Sequence, residues 1–165
     1  MKYNILKKIS YLILSIVLMA SFVSCEQQES IPDESDIAIK EMTATWVVDI
    51  YWDGDYYDTN TISTFNTSSN DTATMWLDDL GHGWGLLAKV NTNLGALTFS
   101  GTDLDELYYG VTVTITDGLI TKGDATTPSG DVVDSIYFKA EFSDIPGEIW
   151  EYSGYRSTAK VPDLP

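Results

Sequence analysis

Hydrolysis through a serine or cysteine nucleophile needs a base to take the nucleophile's proton, and that base is usually histidine. The 165-residue chain holds a single histidine, His82, and a single cysteine, Cys25. His82 stands between Gly81 and Gly83, which suits a turn residue with an unusual backbone angle better than a held base. Ser129 and Ser153 offer hydroxyls, but no Gly-x-Ser-x-Gly elbow surrounds either. No catalytic residue is assigned. Asp53, Asp55 and Asp58, or Asp103, Asp105 and Glu106, could give a hard cation several oxygens. Neither run has calcium-loop spacing, and turn chemistry accounts for both. A lone histidine without a second thiol is also a poor zinc set. Neither a metal site nor a cofactor is expected.

The chain is richer in large apolar side chains. Trp46, Trp52, Met75, Trp76, Trp84, Phe99, Phe138, Phe142 and Trp150 exceed what a minimal core needs. An apolar pocket with few polar groups suits a small hydrophobic ligand. Trp46, Met75, Trp84, Phe99, Phe138 and Trp150 form the candidate ligand-binding set, for fatty acids or bile-salt-like amphiphiles. Aromatic residues at strand period also serve ordinary core packing, so both readings stay open. The rival function is a non-catalytic surface module that stacks exposed aromatics on sugar faces, within a nutrient-uptake system. Alternation places Trp76 with Thr74 and Asp78 on the more polar face. Trp76 and Tyr137 pointing outward beside one another would favour that rival.

Cys25 has a different chemistry. Ahead of it lie Lys2, Lys7 and Lys8, then an apolar run over 11–19 and small residues up to Ser24. A basic start, a short apolar middle and small residues describe a secretory signal, and the run is too short to span a bilayer. A cysteine directly after such residues resembles a bacterial lipobox, with Phe22 at the position commonly Leu. The resemblance implies lipidation of the Cys25 thiol, cleavage before it and acylation of the new amino group. Two acyl signals give lasting attachment, whereas one chain binds only marginally. The expected organisation is a signal peptide over 1–24, an acidic tether over 25–41, a folded domain over 42–158 and a loose tail over 159–165. The expected location is the cell envelope, at the outer membrane. Acidic residues just after the cysteine resemble surface-export signals of Bacteroides-group lipoproteins, though a plain spacer would read the same.

Beyond the signal, six basic residues face twenty-five acidic ones. A surface so negative repels phosphate backbones, so nucleic acid is excluded as a partner. Anionic headgroups would not hold it either, which leaves the anchor to the acyl chains. Any envelope protein partner stays unspecified.

Period-two alternation dominates what remains. Ala44, Trp46, Val48, Ile50 and Trp52 share one face. Ile136, Phe138, Ala140 and Phe142 do the same, as do Val113 and Ile115. Asp53-Gly54-Asp55 reads as a turn, and Asp117-Gly118 as the turn of a tight hairpin. Residues 123–131 read as a loop. Thr102 with Asp105 looks like a capping box, predicting a short helical turn near 101–108 that could act as a lid. Eight or nine short strands with short connections should pair antiparallel in sequence order. The expected fold is all-β, an antiparallel up-and-down barrel of about eight strands, which removes exposed edges. A two-sheet sandwich is the competing arrangement.

Several stretches together resemble one family. They are 74–80 (Thr-Met-Trp-Leu-Asp-Asp-Leu), 96–101, 113–118, 126–130 with 134–138, and 153–158 (Ser-Gly-Tyr-Arg-Ser-Thr). The family is the Bacteroides-type lipoproteins known as lipid-binding putative hydrolases, and the resemblance implies a calycin-like barrel and a lipid-like ligand. Family members often read Ser-Gly-His-Arg-Arg-Thr-Gly near the end; here Tyr155, Ser157 and Ala159 depart from that pattern. Lipocalin-like barrels also open on Gly-x-Trp and close with an Arg over that Trp. Ala44-Thr45-Trp46 and Arg156 stand at the corresponding places, without the Gly. Trp46 and Arg156 are therefore the expected barrel-closing pair, through a cation–π contact.

Overall fold

A computed structural model describes residues 36–165. Cys25, the signal segment and most of the tether lie outside the described residues. The rest forms one closed antiparallel barrel in sequence order. Its strands are β1 (Ala44–Trp52), β2 (Asp55–Asn66), β3 (Thr74–Asp78), β4 (Leu87–Asn93), β5 (Thr98–Asp105), β6 (Thr112–Thr126), β7 (Val132–Phe142) and β8 (Ile149–Arg156). β8 returns to β1 with Trp46 opposite Arg156 and Trp52 opposite Trp150, so the sheet has no first or last strand.

Alternation dictates the inside. Trp46, Val48 and Ile50 of β1, Met75 and Leu77 of β3, and Ile136, Phe138, Ala140 and Phe142 of β7 are all at most 2% exposed. Each large apolar side chain taken out of water stabilises the barrel by about 1.5–3 kcal/mol. The rings interlock: Phe138 stacks on Tyr152 with centroids 4.5 Å apart, and Phe99 tilts against Phe138 at 5.7 Å.

Two predicted elements are different devices in the structure. Asp117-Gly118 does not reverse the chain. β6 runs straight through, and the two residues lie opposite one residue of β7, with the register shifting between Thr116 and Leu119. Asp117 has a φ of 56°, and a Cβ on Gly118 would sit 2.1 Å from the Phe99 carbonyl oxygen. This is a bulge, and it uses the same residues a tight turn would. It also moves the inward set from Val113 and Ile115 to Ile120, which an unbroken period of two cannot do. The helical turn predicted near 101–108 is likewise strand as far as Asp105, with a bulge where Asp103 has a φ of 51° and its N–H donates to Thr114 Oγ1 (3.3 Å). The predicted loop over 123–131 shortens to 127–131, because β6 continues to Thr126.

The two ends of the barrel differ. The end where β1 begins is sealed. A 3-10 turn, Lys40–Met42, brings Ile39 and Met42 into the core, both with no exposed surface. The last residues of the predicted tether thus belong to the folded unit. The residues after β8 are not loose either. A 3-10 turn, Val161–Asp163, buries the Asp163 carboxylate, which accepts hydrogen bonds from Ser129 N (2.7 Å), Ser129 Oγ (2.7 Å) and Thr158 Oγ1 (2.5 Å). Burial would push this carboxyl up, but the Thr158 and Ser129 bonds outweigh it and hold it down at about 2.

Candidate functional site at the open end

Loops 53–54, 79–86, 106–111 and 143–148 surround the other end. Three of them are held by a buried or turn-forming acid. Asp53, with a φ of 49°, makes the β1–β2 turn with Gly54 and accepts from Ile149 N (2.9 Å). Asp79 has no exposed surface; it accepts from Leu86 N (2.7 Å), Gly81 N (3.0 Å) and Tyr152 Oη (3.2 Å). Burial pushes the Asp79 carboxyl up to about 7 against those hydrogen bonds. Burial, with Asp79 beside it, also pushes the Tyr152 phenol well above its usual range. Glu106 closes its loop by accepting from the N–H groups of Leu87 (3.2 Å), Tyr108 (2.7 Å) and Tyr109 (2.8 Å). Tyr108 Oη donates to Asp78 Oδ1 at 2.7 Å; burial first, and then that bond, raise its pKa to about 12.

Aromatic rings gather inside this frame. Trp150, buried at 2% exposure, is at the centre. Trp52 stacks on it at 6.0 Å and 14°, Tyr57 meets it edge-on at 5.1 Å, and Trp84 leans against it at 6.1 Å. Trp52 and Trp84 are tethered by their indole N–H groups, to Glu148 Oε2 (2.7 Å) and Asp144 Oδ2 (3.3 Å). Trp52, Tyr57 and Trp84 nevertheless remain 45%, 51% and 38% exposed. Trp150 Nε1 is buried with no acceptor among the described residues. Tyr57 falls in a β2 register shift opposite Ile50 and Tyr51, which gives it an extra-residue position at the rim. A depression of about 550 Å³ opens here, lined by Tyr57, Gly83, Trp84, Tyr109, Val111 and Asp144. Gly83 and Gly85 allow its walls to approach. A Cβ on Gly83 would sit 2.7 Å from Tyr152 Oη, and one on Gly85 would sit 2.5 Å from the Tyr109 ring.

The six predicted ligand residues therefore divide. Trp46, Met75, Phe99 and Phe138 are at most 2% exposed and pack against other side chains, so they build the core rather than line an opening. Trp84 and Trp150 belong to the rim cluster. Trp46 is at the sealed end, where its Nε1 donates to Thr64 Oγ1 (2.9 Å) and the Arg156 guanidinium lies 6.0 Å from its ring centroid. Arg156 also donates to the Thr43 carbonyl (2.7 Å) and pairs with Asp134 (3.4 Å). A second depression at that end, about 530 Å³, is lined mostly by small and polar residues such as Thr43, Thr45, Thr61 and Ser157, with Lys40 and Arg156. It has none of the rings.

Other predicted positions have plain roles. The unusual backbone angles beside His82 belong to Leu80, Gly81 and Gly83, not to His82 itself, whose N–H donates to the Asp79 carbonyl (3.0 Å). Ser129 ties the 127–131 loop to Asp163. Among the described residues no group of three or more His, Cys, Asp or Glu is placed to hold a metal ion. Trp76 and Tyr137 both take outward positions, but on β3 and β7, four strands apart around the barrel, so they form no shared surface. Trp76 stacks instead with Phe65 at 6.5 Å, and Tyr137 donates to Glu151 Oε2 (2.9 Å).

An eight-stranded closed meander with its inside filled and one aromatic end places the protein in the class of calycin-like barrels. A family described as "Lipid-binding putative hydrolase" matches residues 31–159, and the chain belongs to that family. No curated protein matches the sequence.

Proposed function

We propose that the protein is a lipoprotein anchored to the outer membrane through Cys25, whose open barrel end binds a small hydrophobic or amphipathic ligand. Membership of a lipid-binding family supports the ligand class. The observation that carries the place is the ring cluster itself: Trp52, Tyr57 and Trp84 stay exposed while all three touch the buried Trp150, whereas other exposed apolar side chains such as Leu119, Val132 and Val161 lie away from it. Exposed apolar rings cost free energy in water, and a ligand that covers them recovers it. The packed interior supports a ligand seated at the rim rather than swallowed.

Titration with short-chain amphiphiles tests the reading. Trp84→Ala is expected to weaken uptake about fivefold or more, since a rim ring lost from a contact surface costs over about 1 kcal/mol. Trp46→Ala is expected to lower stability while leaving the affinity of the surviving folded protein unchanged. The reverse pattern would move the site to the interior. The anchor has its own test: Cys25→Ala should abolish acyl mass and release the protein from the membrane fraction.

A further inference from the structure

Acids stand at both ends of the barrel, but the basic residues are unevenly placed along its axis. The four loops of the open end carry Asp53, Asp79, Glu106, Asp144 and Glu148, and no Lys or Arg. Lys40, Arg156 and Lys160 lie at the sealed end, Lys122 near it pairs with Glu41, and Lys89 and Lys139 stand on the barrel wall outside the ring cluster, Lys139 paired with Asp117. A fatty acid arriving at the rim would bring its carboxylate toward Asp144 and Glu148 with no cation to receive it. The rings favour the opposite sign. An indole or phenol face is the negative part of the ring's quadrupole and attracts cations, most strongly quaternary ammonium groups that hold little water. Glu148 and Asp144 sit at the N–H edges of Trp52 and Trp84, so each adds negative potential beside a ring face. The Trp150 N–H, buried with no acceptor among the described residues, is a donor and has nothing to offer a cation, so the head sits on the outer rings and not on Trp150.

We propose that the open end recognises the positively charged head of an amphiphile, a quaternary ammonium or alkylated amine, against the Trp52, Tyr57 and Trp84 rings. This rests on the ligand reading above and narrows it from lipid-like molecules in general to those with a cationic head. The apolar tail lies over Tyr109 and Val111, which line the same depression.

The test uses the full chain in nonionic detergent and follows the indole N–H resonances of Trp52, Trp84 and Trp150. Probes of matched tail are hexyltrimethylammonium, hexanoate and hexanol. Hexyltrimethylammonium is expected to shift those indoles with a dissociation constant about tenfold or more below that of hexanol, and further below that of hexanoate. Asp144→Asn with Glu148→Gln keeps an oxygen for each indole and should erase the preference. Asp36→Asn with Asp124→Asn removes two charges elsewhere and should leave it. Hexanol or hexanoate binding as tightly at the same indoles would overturn the cationic class while sparing the ligand site. Equal loss in both double variants would reduce the effect to net charge and overturn the proposal too. If no probe moves those indoles, the ligand reading falls with it.

Discussion

Asp79 couples the open end to pH. A carboxyl with an unfolded pKa of about 3.9 reaches about 7 here because burial disfavours its charge. The folded state therefore binds the proton more tightly than the unfolded chain does. Stability from this group is complete below pH 4 and declines as pH rises toward 7, by on the order of 4 kcal/mol, then levels off. Asp79→Asn should flatten that decline, and the comparison with wild type at matched pH separates it from the general charge of the chain. A variant as pH-dependent as wild type between pH 4 and 7 would show that the buried carboxyl is not responsible. Asp163 runs the other way. Its pKa is held down at about 2, so its contribution is present above pH 4 and lost as pH falls toward 2. Asp163→Ala should lower the melting temperature at neutral pH and raise amide exchange in 127–131, while a pH 2 melt should barely distinguish the two proteins. None of this was legible from the residues alone. Asp79 is one of two adjacent acids before a glycine, and only the fold decides that Asp78 faces a tyrosine hydroxyl while Asp79 goes inside.

At the level of strands, glycines decide how the barrel closes. Gly154 of β8 faces Val48 of β1, and a Cβ there would sit 2.0 Å from the Val47 carbonyl oxygen and 2.6 Å from Val48 Cα. Backbone cannot yield as a flexible side chain can. Gly154→Ala is expected to cost about 3 kcal/mol or more and to raise exchange in β1 and β8 first. A variant that melts with wild type would mean the seam tolerates a wider spacing. The strands with unbroken alternation were readable in advance. β7 buries the set that period two assigns, and β1 does so from Trp46 to Ile50, until a register shift after Ile50 leaves Trp52 at the rim, 45% exposed. β5 and β6 were misread where they change face. Asp-Gly supplies a positive φ equally to a hairpin and to a bulge, and only the partner strand tells which is built. Thr102 and Asp105 carry capping chemistry that the neighbouring strand overrides. The rim was half visible: Trp84 and Trp150 stand out by type, whereas Tyr57 and Tyr109 join them through a register shift and a loop.

For the molecule as a whole, a formal net charge of −16 opposes compactness through self-repulsion. Raising ionic strength from about 0.01 M to about 0.15 M shortens the screening length from about 30 Å to about 8 Å. The melting temperature should rise over that interval, since the charges at the open end have no cations among them. A constant or falling value would mean that the few ion pairs, such as Lys122 with Glu41 and Asp134, outweigh the repulsion.

Both chain directions leave from one pole. Residue 36 and residue 165 lie with the sealed end, where Ile39, Met42 and Asp163 are buried, and the rings crowd the opposite pole. The described chain thus enters and leaves at the pole away from the rings, and the aromatic end carries neither terminus of the described residues.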